Sequence, residues 1–199
     1  MKSKLIKLAA LVALWFALPM ALGSMPPAYK VFITDAAVSA LGIVFMRDSF
    51  RAVPKVRTMI LCTLMCAVLL LGEGIVTGML FRHFGLVQTT NDAHLAQVAH
   101  TGQTAFLVAG CILAPITEEI IFRGFVFDML REMCMRKHIS STPAYLLSAV
   151  VFAVMHSPAN WVMAVPYFLS GLIFAIAYDH GSIHCSILAH VINNSLALL

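Results

Sequence analysis

An all-α, polytopic membrane bundle of about seven transmembrane helices is the fold class this sequence predicts, on three observations. Hydrophobic residues make up 61 % of the 199 and charged residues only 11 %, with a mean hydropathy of +0.92, a balance that belongs in lipid. The apolar residues fall in long runs without the period-two alternation of barrel strands, and backbone amides in hydrocarbon must be satisfied within their own segment, which selects helices. Lys and Arg gather between the runs at alternate ends, as they do in short cytoplasmic loops.

The first run, residues 5 to 22, follows Lys2, Lys4 and Lys7. It resembles a secretory signal, with small residues near Ala21 and Gly23, but the runs that follow favour an uncleaved anchor. Further runs occupy 29 to 46, 58 to 81, 104 to 130, 143 to 156, 161 to 178 and 183 to 199, each near the length that crosses a bilayer, with 143 to 156 the shortest. Residues 82 to 103 are polar and include Asn91, Asp92, His94 and His100, which predicts an external loop carrying a short interfacial helix. The chain divides into 1–103, amino-terminal helices and loop that serve substrate access, and 104–199, a helical core that carries the chemistry, the two forming one integrated membrane domain.

Charge orients the bundle. Lys2, Lys4 and Lys7 precede the first run, Arg47, Arg51, Lys55 and Arg57 follow the second, and Arg131, Arg136 and Lys137 follow the fourth. Of 13 basic residues only Lys30 and Arg82 fall on the other side, and Arg123 lies within a run, so the amino terminus is expected in the cytoplasm. A prokaryotic plasma membrane is the expected location. The cysteines, Cys62, Cys66, Cys111, Cys134 and Cys185, have no disulfide-framework spacing and read as buried small hydrophobes. There is no internal repeat, phosphate-binding glycine loop or basic-aromatic stripe, so no nucleic-acid partner is expected. Nothing in the sequence specifies an oligomeric state.

Against this background the buried charges stand out, because each costs about 3 kcal/mol at the centre of a spanning helix. In the fourth run Glu118 and Glu119 lie thirteen and twelve residues before Arg131, roughly 20 Å along a helix. Glu119 and Arg123 are four apart with the acid toward the amino end, the favourable sense for a helical ion pair. Glu118 is left outside that pair, desolvated and beside a second carboxylate, which suits a general base. His156 ends FAVMH, and His190 and Asn194 sit four apart on one face of the last run. A buried ion network would explain Glu119 with Arg123, and a proton relay would use the Glu and His residues. Asn194 does not titrate, whereas with His190 it can donate hydrogen bonds to a developing oxyanion, so the set reads better as hydrolysis.

EEIIFRG, FAVMH and GSIHCSILAHVINN together resemble the CPBP family, the CAAX prenyl endopeptidases and bacteriocin-processing or immunity (Abi) proteases, over about residues 104 to 199. The resemblance implies an intramembrane endopeptidase that cleaves a hydrophobic or lipidated peptide in a conical cavity among helices. It implies that Glu118 with His156 activates water, that His190 and Asn194 stabilise the oxyanion, and that Glu119 with Arg123 holds the helix of the first glutamate. No cofactor is favoured. The metal alternative would use Glu118, His156 and His190 as zinc ligands with one open position, although no HExxH occurs. Two rival readings are a catalytically silent immunity or scaffold protein and a proton-coupled transporter, which ought to show paired repeats and broken helices. Elsewhere, Gly74 and Gly78 form a GxxxG predicted to pack a helix closely, with Glu73 in the same patch. Asp35 reads equally as a cavity residue or a helix contact, and Asp179, His180 and His184 as a turn cluster.

Overall fold

The computed structural model describes residues 1–86, 104–156 and 159–196, and within them every regular element is helical. The elements are α1 (Lys2–Ala21), α2 (Pro27–Phe45), α3 (Arg47–Arg51), α4 (Val56–Phe84), a continuous rod α5 over 104–136, α6 (Thr142–Met155), α7 (Trp161–His180) and α8 (Ile183–Leu196). The helical membrane bundle expected from composition is therefore the fold, with a short surface helix, α3, added between the second and third long ones.

Local chemistry explains the boundaries. Pro27 and Pro143 open α2 and α6 in the first turn, where a missing N–H costs nothing, and the Asn160 side chain caps α7 by accepting from the Met163 amide at 3.0 Å. Ser182 does the same for Cys185 at the start of α8, at 3.3 Å. Helix α4 stops at Gly85, whose φ of 67° is cheap only without a Cβ.

Four helices, α1, α2, α4 and α7, are each long and apolar enough as single regular helices to cross a membrane, and the bundle agrees with the expected class while its count of crossings stays near rather than at seven. The rod α5 runs through several successive helical stretches rather than one regular helix, and α6 is shorter still than these four. With 14 residues α6 is about 21 Å long against a hydrocarbon core of about 30 Å, too short to span it alone. Helix α4 also runs on to Phe84, past the point where a loop was predicted; residues 87–103, with Asn91, Asp92, His94 and His100, lie outside the described residues.

The rod α5 widens to π geometry at Ala109–Leu113 and Ile120–Phe127, on either side of the α-helical Ala114–Glu119. Such inserted turns recur at functional sites because they rotate the side chains on either side relative to a regular helix. Helix α2 lies against the rod at Gly42, where a Cβ would stand 2.6 Å from Ile120 Cγ2. Helices α6 and α7 approach at Gly171, where a Cβ would meet the Ala149 Cα at 3.1 Å. By contrast, a Cβ at Gly74 or Gly78 would meet nothing within 4 Å, so the GxxxG of α4 packs no helix among the described residues. Helix α1 buries little beyond Leu11 and α4 turns only Cys62, Cys66, Leu70 and Phe81 inward, as lipid-facing helices do. All five cysteines are free and buried.

One end of the bundle collects the basic residues. Lys4 at the start of α1 lies 3.3 Å from Asp128 near the end of α5, and Lys7 donates to the Phe45 carbonyl at the end of α2. Arg131 pairs with Asp179 at 2.8 Å, and Tyr145 donates to the same carboxylate. Asp179 is thus a structural pin between α5, α6 and α7, while His184 rests its ring against Phe50.

Candidate active site

Glu119 and Arg123 organise the site's floor. Both are fully buried, and Arg123 Nη1 lies 2.9 Å from Glu119 Oε1. Arg123 Nη2 donates to the Gly171 carbonyl at 3.0 Å, and the guanidinium lies over the Phe152 ring at 4.4 Å and near Phe174 at 5.3 Å. A desolvated guanidinium needs this company, with a carboxylate, a carbonyl and two ring faces replacing water. Glu119 also accepts from the Ser186 hydroxyl and from His190 Nδ1 at 2.8 Å, so its two oxygens join α5 to α8.

One residue earlier, Glu118 faces elsewhere. Its Oε2 stands 3.5 Å from His156 Nε2 and 3.8 Å from His190 Nε2, buried and without a direct hydrogen bond. The other nitrogens of the two rings set their orientation. His156 Nδ1 lies 2.8 Å from the Phe152 carbonyl, which can only accept, so Nδ1 carries the hydrogen. His190 Nδ1 lies 2.8 Å from the same Glu119 carboxylate that pairs with Arg123. Each ring thereby turns its Nε2 toward Glu118. Two imidazole nitrogens and a carboxylate oxygen then converge on one point, an arrangement that can hold a small polar group such as water between them. Stacking holds the rings in place, with His190 on Phe174 at 4.4 Å and 19° and His156 on Tyr167 at 4.5 Å and 24°.

Asn194 lies one turn beyond His190 and is bound to α5. Its Nδ2 donates to the Gly110 carbonyl at 3.0 Å, within the upper widened stretch, which employs one of the two amide hydrogens. The structure therefore brings Glu118, His156 and His190 to one point, places Glu119 and Arg123 beneath them, and ties Asn194 to the neighbouring turn of the rod.

Glu118, His156 and His190 are the donor set a catalytic zinc would use, although among the described residues no three His, Cys, Asp or Glu side chains are already gathered round an ion-sized point. With Glu118 Oε2 at 3.5 and 3.8 Å from the two Nε2 atoms, these ligands would need to shift by only a few tenths of an ångström.

Several contributors were not singled out from the sequence. Ser186 could have been, since it precedes His190 by four and shares its face. The Gly171 carbonyl and the pairing of Phe152 with Phe174 carried no signal, because aromatic and glycine residues abound in lipid-facing helices. Asp35 proves to be a helix contact, receiving the Trp15 indole N–H at 3.1 Å. Glu73 accepts from Thr77 at 2.7 Å along α4.

These geometric features sit within a stretch with known relatives. Residues 100–196 match the Rce1-like family of type II CAAX prenyl endopeptidases. UPF0177 protein YxdF of Lactococcus lactis subsp. lactis (strain IL1403) is 28 % identical over 68 residues, which covers 34 % of this chain and 33 % of that protein. The chain thus spans about a third of the length of that relative. No solved structure matches. The match covers just under half of this chain, and the long apolar helices are those of an integral membrane protein. The Rce1-like region contains α5 to α8 and every site residue named above.

Proposed function

We propose that the chain is an intramembrane endopeptidase that hydrolyses a peptide bond in a hydrophobic or lipidated peptide, with Glu118 as the general base. The observation that carries this reading is Glu118 Oε2, buried among the helices, facing two imidazole Nε2 atoms while Glu119 and Arg123 are spent on each other. Water hydrogen-bonded between Glu118 and His156 gives its proton to Glu118 as its oxygen bonds the peptide carbonyl carbon. The proton then passes to the departing amine as the C–N bond breaks, which balances the reaction without a cofactor. Asn194 donates to the oxyanion through its second amide hydrogen. His190 flanks the oxyanion through Nε2, its ring oriented by the Glu119 carboxylate at Nδ1.

Substrate access fits a cleft of about 480 Å³ between α4, α7 and α8, lined by Glu73, Gly74, Thr77, Tyr167, Ser170 and Asn193 among others. Tyr167 is the shared wall, since its ring stacks on His156. A peptide segment suits a cleft with a bare glycine surface and polar groups, because the backbone can come close and satisfy its amides there. The amino terminus and the basic end face the cytoplasm of a prokaryotic cell in this reading.

The test is cleavage of a pool of lipidated and unmodified hydrophobic peptides by the detergent-purified protein, with and without a chelator. Glu118→Gln is expected to lower kcat by about 10²- to 10⁴-fold. Equal cleavage by wild type and variant overturns the assignment, and loss of activity with chelator followed by recovery with zinc replaces the metal-free mechanism with ligation by Glu118, His156 and His190.

A further inference from the structure

A polar chain outside the site described above runs through the bundle and ends one residue before Glu118. Trp15 on α1 donates its indole N–H to the Asp35 carboxylate on α2 at 3.1 Å. Thr117 on α5 donates its hydroxyl to the backbone carbonyl of the same Asp35 at 3.1 Å. Ser39, one turn along α2, lies 2.9 Å from the Thr117 hydroxyl. Because the single Thr117 hydrogen goes to Asp35, Ser39 is the donor to Thr117, and the direction of the chain is set. Asp35, Ser39 and Thr117 are all buried, so the two bonds at Thr117 are made away from water, with the Trp15 bond at the half-buried edge of the chain.

Consecutive residues of a helix point about 100° apart. Thr117 points to α2, Glu118 to the histidines of α6 and α8, and Glu119 to Arg123, Ser186 and His190. The α-helical stretch Ala114–Glu119 has widened turns on both sides, so the helix around it does not by itself hold one rotational setting. Side chains flanking Glu118 do so instead. Glu119 is held from one side. We infer that Thr117, bonded to Asp35 and Ser39, is the positioning residue on the other side, fixing the rotation of this stretch so that Glu118 faces His156 and His190. This rests on the reading of Glu118 as the base, and it gives α1 and α2, which lie outside the Rce1-like match, a part in the chemistry through Trp15 and Asp35.

Thr117→Val keeps the shape and removes the hydroxyl; Thr117→Ser restores it. With a peptide that the wild type cleaves, Thr117→Val is expected to lower kcat about tenfold or more with KM changed by less than about twofold, and Thr117→Ser to recover most of the loss. A second readout needs no turnover: labelling of Glu118 by the hydrophobic reagent dicyclohexylcarbodiimide, followed by mass spectrometry, with Glu73 as internal control. The labelling rate of Glu118 should change several-fold in Thr117→Val and revert in Thr117→Ser, while that of Glu73 stays constant. If Thr117→Val does not fold, Ser39→Ala and Trp15→Phe should each shift Glu118 labelling in the same sense. Wild-type kcat and labelling in Thr117→Val, beside an inactive Glu118→Gln, overturn the positioning role and leave the base intact. Full activity in Glu118→Gln overturns both.

Discussion

Arg123 is the largest fully buried side chain among the described residues, and its surroundings show why one charge can sit in hydrocarbon. Glu119, the Gly171 carbonyl and two aromatic faces take the place of water around a planar cation. Lys offers neither the fork nor the flat face, so Arg123→Lys is expected to lower the melting temperature in detergent by several degrees, and Arg123→Ala, which strands Glu119, to cost about 3–5 kcal/mol. Thermal unfolding followed by tryptophan fluorescence measures both, and an unchanged midpoint for Arg123→Ala would show the pair to be dispensable. The distinction between the two glutamates was legible in the sequence, because a spacing of four assigns Glu119 to Arg123. The bond from Glu119 to His190 was not, since 71 positions separate them and only the packing of α8 on α5 makes them neighbours.

Among the elements, the rod α5 and the short α6 do most to place the site. A regular α-helix over 104–136 would follow from the apolar pattern, yet the chain widens on both sides of Glu118 and Glu119. Periodicity over so few residues does not register an inserted turn. The close approach of α2 to this rod depends on Gly42, and Gly42→Val, which drives a side chain into Ile120, is expected to cost about 1–3 kcal/mol, with partial recovery in Gly42→Val combined with Ile120→Ala. On α4 the opposite holds: Gly74→Leu meets open space, so the fold should persist while KM for a cleaved peptide rises as the cleft fills. An unaltered KM would remove α4 from substrate binding. GxxxG read as close packing because the spacing alone cannot tell a helix neighbour from an open groove.

The whole molecule is a bundle with an electrostatic end and a chemical interior. Contacts of Lys4 with Asp128 and of Arg131 with Asp179 join helices at the basic end, while Glu118 lies roughly 20 Å deeper along α5. Cysteines introduced at Ser49 and His138 should therefore react with a membrane-impermeant thiol reagent only when the cytoplasmic face is exposed, and one at Arg82 from the other face. The reverse pattern would invert the topology. Composition, run length and the alternation of basic residues determined the class of this protein, an integral helical membrane bundle, because insertion into lipid depends on hydropathy and charge counted along the chain. The motifs likewise marked which polar residues needed an explanation. Tertiary structure alone decided what those residues do to one another: which ring nitrogens turn toward Glu118, that Ser186 and His190 share Glu119, and that Thr117 anchors to α2. These depend on distances between helices and on rotations within them, and a linear pattern of apolar and polar residues carries no record of either.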